Sequence, residues 1–193
     1  MKKMTMAGMI AATATVIMMN SCLKSDDIYT PPTTYEKTDS LKVNFSSNSS
    51  FTFFSFKNGS VIANSDSATA KWDFGLRFTT FILNSYAYGP GNAGAILQNG
   101  IYSNLNTAPS TGYAYDTTTA QKAIKDGSWY DYNPVSHAFS PKAGKTFFFR
   151  TADNYYVKME LLAVDYEPFA GPAPVRLIYR FRYTYQANGT TSF

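Results

Sequence analysis

Lys71-Trp72-Asp73-Phe74-Gly75-Leu76-Arg77-Phe78-Thr79-Thr80-Phe81-Ile82-Leu83 is the stretch that decides the fold. Trp72, Phe74, Leu76 and Phe78 alternate with Lys71, Asp73, Arg77 and Thr79. Successive side chains of a strand point to opposite faces, so this spacing predicts a strand with four large apolar groups facing one core. The parity then shifts, because Phe81 and Leu83 take the apolar positions, and a bulge or bend is expected near Thr79 and Thr80.

Upstream, Leu41, Val43 and Phe45 alternate with polar residues, and an aromatic run from Phe51 to Phe56 ends at the turn pair Asn58-Gly59. Downstream, residues 84–94 read as a loop around Gly89-Pro90-Gly91, and residues 98–116 are loop-like, with Pro109 and small residues among tyrosines. Residues 117–125 are the one stretch that suits a helix, capped by Asp116 or Thr117 and stopped by Gly127. Residues 147–151 and 155–164 suit a hairpin around Asp153-Asn154, with Met159 as a packing residue. The last strand spans 176–186. Leu177, Tyr179, Phe181, Tyr183 and Tyr185 form one of its faces, and Arg176, Arg180, Arg182 and Gln186 the other. Pro168, Pro172 and Pro174 make 166–175 a loop. With 15 Phe, 15 Tyr and no internal repeat, the composition favours strands. The expected fold is all-β: antiparallel sheets in a single domain over 40–193, with at most one or two short helices.

The N-terminus reads as targeting sequence. Lys2 and Lys3 precede an uncharged, mostly apolar stretch over 5–19 that is short of the ~20 residues a membrane span needs. Met19-Asn20-Ser21-Cys22 looks like the lipobox of bacterial lipoproteins, in which the cysteine thiol receives the lipid. The alternative is an ordinary secretory signal with an incidental cysteine. Cys22 is the only cysteine, so no disulfide and no cysteine-based metal or redox site forms within the chain. The domain boundaries expected are signal peptide 1–21, tether 22–39 and β domain 40–193. Lys24-Ser25-Asp26-Asp27 resembles an acidic export tag for the outer face of the outer membrane and equally suits a soluble spacer.

Cleavage removes two of 17 basic residues and none of the 13 acidic ones, so the net charge falls from +4 to +2. There is no basic run of five or more residues, and nucleic-acid binding is not expected. One histidine and no nucleophile-elbow, zincin or phosphate-loop pattern leave little on which to build an enzyme. A carboxylate pair such as Asp153 with Glu160 or Asp165 is the residual catalytic candidate.

Phe53-Phe54-Ser55-Phe56-Lys57-Asn58-Gly59, Lys71-Trp72-Asp73-Phe74-Gly75-Leu76-Arg77 and Asn84 with Gly89-Pro90-Gly91-Asn92-Ala93-Gly94-Ala95 follow one another in the order found in HmuY-like haem-binding lipoproteins. Phe147-Phe148-Phe149-Arg150-Thr151-Ala152-Asp153, Val157-Lys158 and the tyrosine-rich strand 178–186 continue that order, so the chain resembles the family over about 41–193. The resemblance implies a lipid-anchored, all-β protein on the outer membrane, at the cell surface. It also implies haem held by two axial His or Met side chains between finger-like loops and passed to a TonB-dependent receptor. The mature chain has only His137 and Met159 for that role, so neither two histidines nor two methionines can ligate within one chain. The segment bearing the family's first ligand is compressed here to 116–128, and His137 follows Trp129 in the region of the second.

Imidazole and phenolate are both ligands of ferric haem, which makes His137 the first candidate, paired with Tyr86, Tyr88, Tyr113 or Tyr115. Arg176, Arg180 and Arg182 share a strand face and are candidates for the haem propionates. The competing reading for each is ordinary: a loop histidine bonded to backbone, packing tyrosines, a solvated arginine face. A different class of function on the same scaffold is a non-haem ligand, glycan or protein-interaction module, with exposed tyrosines and Trp129 as stacking platforms. If Cys22 is the anchor, Cys22→Ser leaves an unprocessed or unanchored precursor. Intact-mass analysis of the membrane fraction checks this, and an unmodified Cys22 thiol in mature membrane-bound protein would contradict it.

Overall fold

The structure, a computed structural model, describes residues 34–46, 48–167 and 174–193. Residues 1–21, expected as a signal peptide, Cys22, and residues 168–173 of the stretch expected as a loop over 166–175 lie outside the described residues. Eleven strands run in chain order: β1 Thr34–Asn44, β2 Thr52–Ser55, β3 Ser60–Ile62, β4 Phe74–Arg77, β5 Thr80–Leu83, β6 Gly94–Asn99, β7 Tyr130–Asn133, β8 Ala138–Pro141, β9 Lys145–Arg150, β10 Tyr156–Tyr166 and β11 Arg176–Gln186. They form a five-stranded sheet in the order β1-β11-β10-β9-β6, a four-stranded sheet β3-β2-β4-β5, and the hairpin β7-β8, with every pairing antiparallel. Two 3-10 turns, Asn64–Asp66 and Tyr102–Asn104, are the helices among the described residues. The all-β expectation holds.

The inner faces of the two larger sheets share one core. Aromatic rings join them: Phe54 meets Phe181 at 5.3 Å, Phe56 meets Phe149 at 5.0 Å and Phe81 meets Phe147 at 5.7 Å between centroids. Tilted and edge-on pairs at such distances add to the simple burial of area. Leu177, Tyr179, Phe181, Tyr183 and Tyr185 all face inward from β11, as their alternation requires. Met159 is a core residue, 1% exposed. On the outer face of β9 and β6, Phe148 packs with Ala108 and Tyr113, so part of the loop-like 98–116 stretch covers that face.

The deciding stretch folds differently from a single bent strand. β4 and β5 are the two arms of a hairpin, with Arg77 paired to Thr80 and Phe78-Thr79 as its two-residue turn. Phe78 takes φ +49°, the left-handed region that such turns require. Its ring is held edge-on by Phe45 and Phe139, and its carbonyl accepts the Tyr179 hydroxyl at 2.6 Å. Phe74 and Leu76 enter the main core, whereas Trp72 is buried in a separate cluster with Phe53 and Ile82 on the other face of the small sheet. Trp72 therefore departs from the face assigned to it, because the chain is not yet paired as a strand at that residue.

Three other expectations change. β1 begins at Thr34, paired with Gln186, so the ladder takes in residues 34–39 that read as tether. No helix forms over 117–125. Asp116 acts instead as a buried bracket, its carboxylate accepting the N–H of Leu83 and of Ala123, each at 2.7 Å. Trp129 is 1% exposed in the core and offers no stacking platform.

Asp73, between Trp72 and Phe74, is buried, and its two oxygens accept the N–H of Phe56 at 2.8 Å and of Ala152 at 2.9 Å. It ties the end of β2 to the turn between β9 and β10. Burial raises its carboxyl pKa to about 7, against the two N–H bonds that favour the charge. The unfolded chain ionises this group near the ordinary value of 3.8, so the contribution of Asp73 to stability is greatest below that pH and is lost as pH rises to about 7. Asp73→Asn leaves a buried N–H unpaired and should cost about 1–3 kcal/mol. The gap between wild type and variant in urea unfolding should narrow from about pH 4 to about pH 7; a gap that widens over that range contradicts the assignment.

Candidate functional site

His137 sits at the end of the loop joining β7 to β8, exposed and with φ +55°. Asn133 shapes the loop, its side-chain oxygen accepting the N–H of Val135 at 2.9 Å and of Ser136 at 3.2 Å. Phe139 anchors the returning strand by donating its N–H to the Tyr166 hydroxyl at 2.7 Å. Nδ1 of His137 lies 2.6 Å from the hydroxyl of Tyr132, across the hairpin. Tyr132 is missing from the sequence candidates. The signal was present, since Tyr130, Tyr132 and Phe139 bracket the turn pair Asn133-Pro134, but without pairing information this reads as plain loop. Tyr130 and Tyr132 each lie 5.1 Å from the Phe139 ring, so the Tyr132–His137 pair stands on an aromatic flank.

The candidate tyrosines gather elsewhere. Tyr115 accepts a hydrogen bond from Nη2 of Arg150, and the Tyr86 ring meets Tyr115 edge-on at 5.7 Å. Tyr113 is buried beside them, 6.1 Å from the Tyr156 ring. Burial raises its phenol pKa, so it is a protonated donor. Tyr88 is apart from this group, bonded to the Thr119 carbonyl and packed against Phe51. The tyrosine cluster lies at the Tyr156 end of β10 and His137 at the Tyr166 end. Ten strand steps of about 3.3 Å separate the two ends, roughly 30 Å. Two axial ligands must both reach one iron, so the structure does not bring His137 together with Tyr113 or Tyr115 as an axial pair.

The arginine row is already engaged. Arg180 pairs with Asp165, Arg182 with Glu160 at 2.7 Å, and Arg176 with Glu167 at 3.5 Å. Arg182 also stacks 4.4 Å over Tyr102. A propionate would have to displace a carboxylate at Arg180 or Arg182, so neither is a ready propionate clamp. The same pairs hold Glu160 and Asp165, which with Asp153 were the residual catalytic candidates.

No protein-family model matches the chain, and no curated protein matches it in sequence. Solved structures do match in shape. The apo HmuY analog of Tannerella forsythia aligns over 77% of this chain and 96% of its own, with TM-score 0.51 at 11% identity. The fold is HmuY-like. Apo PinO from Porphyromonas gingivitis aligns over 78% of this chain and 97% of its own, with TM-score 0.50 at 11% identity. At these identities the likeness speaks for the HmuY-like fold, and the site must be argued from this chain's own residues.

The group that the HmuY-like resemblance implies is haem, and the donor set fits it on one side only. Met159 is sealed in the core, so its thioether is not a ligand. His137 can present Nε2 outward, with Nδ1 engaged by Tyr132. Among the described residues His137 and Met159 are thus the only His and Met, and His137 alone has its side chain open to solvent. Because Arg180 forms an exposed ion pair, Arg180→Ala should change stability by less than about 1 kcal/mol and haem affinity by less than twofold. Thermal melts and a visible titration check this, and a large loss of haem affinity would restore the propionate role.

Proposed function

We propose that this chain is a lipid-anchored haem-binding protein of the outer membrane, a binder and not an enzyme, which holds ferric haem through Nε2 of His137 and passes it to a TonB-dependent receptor. The observation that carries this reading is the His137 ring on the β7–β8 hairpin, exposed and bonded through Nδ1 to Tyr132 at 2.6 Å. When Nδ1–H donates to the Tyr132 oxygen, the ring proton is on Nδ1 and the lone pair of Nε2 faces solvent. Histidines that ligate metals hold their other nitrogen in this way, which fixes the tautomer and the ring direction. The bound iron would supply the Lewis-acid centre for that lone pair.

The HmuY-like fold and the ordered sequence motifs support the reading. The aromatic flank of Tyr130, Tyr132 and Phe139 offers apolar surface for a porphyrin edge. His137 would be the one residue of this chain to hold the haem iron, and a receptor side chain would be free to take it over, which suits transfer better than storage. Among the described residues no helix is long and apolar enough to cross a membrane, and attachment is assigned to lipid on Cys22.

Titration of the mature chain with ferric haem should give a saturable Soret change. His137→Ala should weaken binding at least tenfold, equivalent to about 1.4 kcal/mol, and shift the Soret maximum. A spectrum unchanged by His137→Ala would refute the ligand, and the absence of saturable binding would refute the function.

A further inference from the structure

The inward-facing residues of β1 change character along the strand. Leu41 and Val43 are fully buried in the shared core. Tyr35 and Lys37 have the same parity and pair with Tyr185 and Tyr183 of β11, yet both are exposed. Between them and the β2–β3 turn lies a cleft of about 240 Å³, lined by Tyr35, Lys37, Phe56, Lys57, Tyr183 and Tyr185. A charged residue on the core-facing side of a strand is uncommon, because a charge drawn out of water needs a partner. Among the described residues no carboxylate is within ion-pairing reach of Lys37, whereas Lys42, on the opposite face of β1, pairs with Glu167 at 2.7 Å. Lys57 reaches Asp153 at 3.4 Å, an exposed pair of little net strength.

Tyr185 adds a third donor. It is 6% exposed, and its hydroxyl has no hydrogen-bond partner among the described residues. The orphan hydroxyl of Tyr113 is sealed from solvent, whereas that of Tyr185 opens on the cleft. Burial raises its phenol pKa, so at neutral pH it is a protonated donor. Gly59 holds the opposite wall. It takes φ +58°, and a Cβ there would lie 2.5 Å from Lys37 Nζ and 2.9 Å from the Tyr183 hydroxyl. Only glycine lets the turn close over the ammonium group, which keeps Lys37 Nζ at the cleft wall. Two ammonium groups and one phenol O–H on a single cleft call for an anionic acceptor.

We propose that this cleft binds a phosphomonoester, with Lys37, Lys57 and the Tyr185 hydroxyl on the phosphate oxygens and the Tyr35 ring along the group that the phosphate esterifies. Such a phosphate carries about −1.5 to −2 charge at pH 7 and three strong acceptor oxygens, which matches two cations and a third donor. Lysine binds phosphate as a point charge, whereas a carboxylate gains most from the planar fork of an arginine, and no arginine lines this cleft. The volume falls below the roughly 300–1,000 Å³ of drug-sized sites, which suits a phosphate with one small substituent. Tyr185 pairs with Val157, at the end of β10 away from His137, so the site is independent of haem ligation.

Calorimetric titration of the mature chain with glucose 6-phosphate, glucose and acetate at one ionic strength tests the proposal, and vesicles carrying phosphatidate offer the same group on a lipid. Saturable binding of glucose 6-phosphate or of the vesicles supports the site and tells a soluble ester from a lipid headgroup. Glucose and acetate should bind at least tenfold more weakly. Lys37→Gln and Tyr185→Phe should each weaken the bound phosphomonoester at least fivefold, while Lys42→Gln and His137→Ala leave it unchanged. Tyr185→Phe deletes the hydroxyl and keeps the ring in the core, so its thermal midpoint, measured alongside, separates lost binding from lost folding. Binding of neither phosphomonoester, equal binding of glucose or acetate, or full affinity in Tyr185→Phe would overturn the site. An equal loss in Lys42→Gln would also overturn it, since that loss reports general charge attraction. The haem reading fails or stands on its own titration, which depends on His137.

Discussion

The carboxylate of Asp73 is the contact on which the arrangement of loops in this protein depends. It sits where the chain enters β4, buried between the small sheet and the β9–β10 turn, and it is the acceptor for one N–H from each. Without that acceptor, two backbone donors would be buried unpaired, a cost comparable with a large part of a domain's net stability. Asn84 and Asp116 continue the same device. Asn84 donates to the carbonyls of Thr69 and Trp72, each at 2.8 Å, and accepts the Gly91 N–H at 2.9 Å. Asp116 takes the N–H groups of Leu83 and Ala123. Three short polar side chains thus organise connections that have little regular structure of their own.

This network explains why separated pieces of sequence resemble one family as an ordered set. Trp72-Asp73 and Thr151-Ala152-Asp153 lie far apart in the chain, yet Asp73 holds Ala152 directly. Asn84 and the Gly89-Pro90-Gly91 loop are joined by a side-chain bond in the same way. Such residues answer to backbone groups that the fold must satisfy, so they leave a mark in the sequence even where regular structure is scarce. Strand β11 was legible for a different reason, since its alternate residues all serve one core face along the full length Arg176–Gln186.

What was not legible follows equally from physics. The β7–β8 hairpin packs one face lightly and leaves most of its residues in solvent, so no apolar alternation announces it. Residues 117–125 have a helix's cap and stop but lack its tertiary use, because Asp116 is committed to Leu83 across the sheet edge. Trp72 alternates correctly with Phe74 and faces the wrong cluster, since alternation predicts facing only where the chain is already a strand. Composition picked out His137 as the single imidazole, and it picked out three tyrosines that the fold does gather. Only the fold shows that the two sets lie at opposite ends of β10. Tyr132 belongs to the β7–β8 pairing, which no local pattern reveals, whereas β9 and β10 form the hairpin that the sequence announces.

The proposed haem site is one imidazole offered from an aromatic hairpin, with no second His and no exposed Met among the described residues. Electron paramagnetic resonance of the ferric haem complex of the mature protein tests that claim most directly, because spin state reports how many strong axial ligands the iron has. A single His137 nitrogen predicts a high-spin ferric signal that is lost or altered in His137→Ala. A low-spin signal from the isolated protein, unchanged in that variant, would mean that two other ligands hold the iron and would contradict the account.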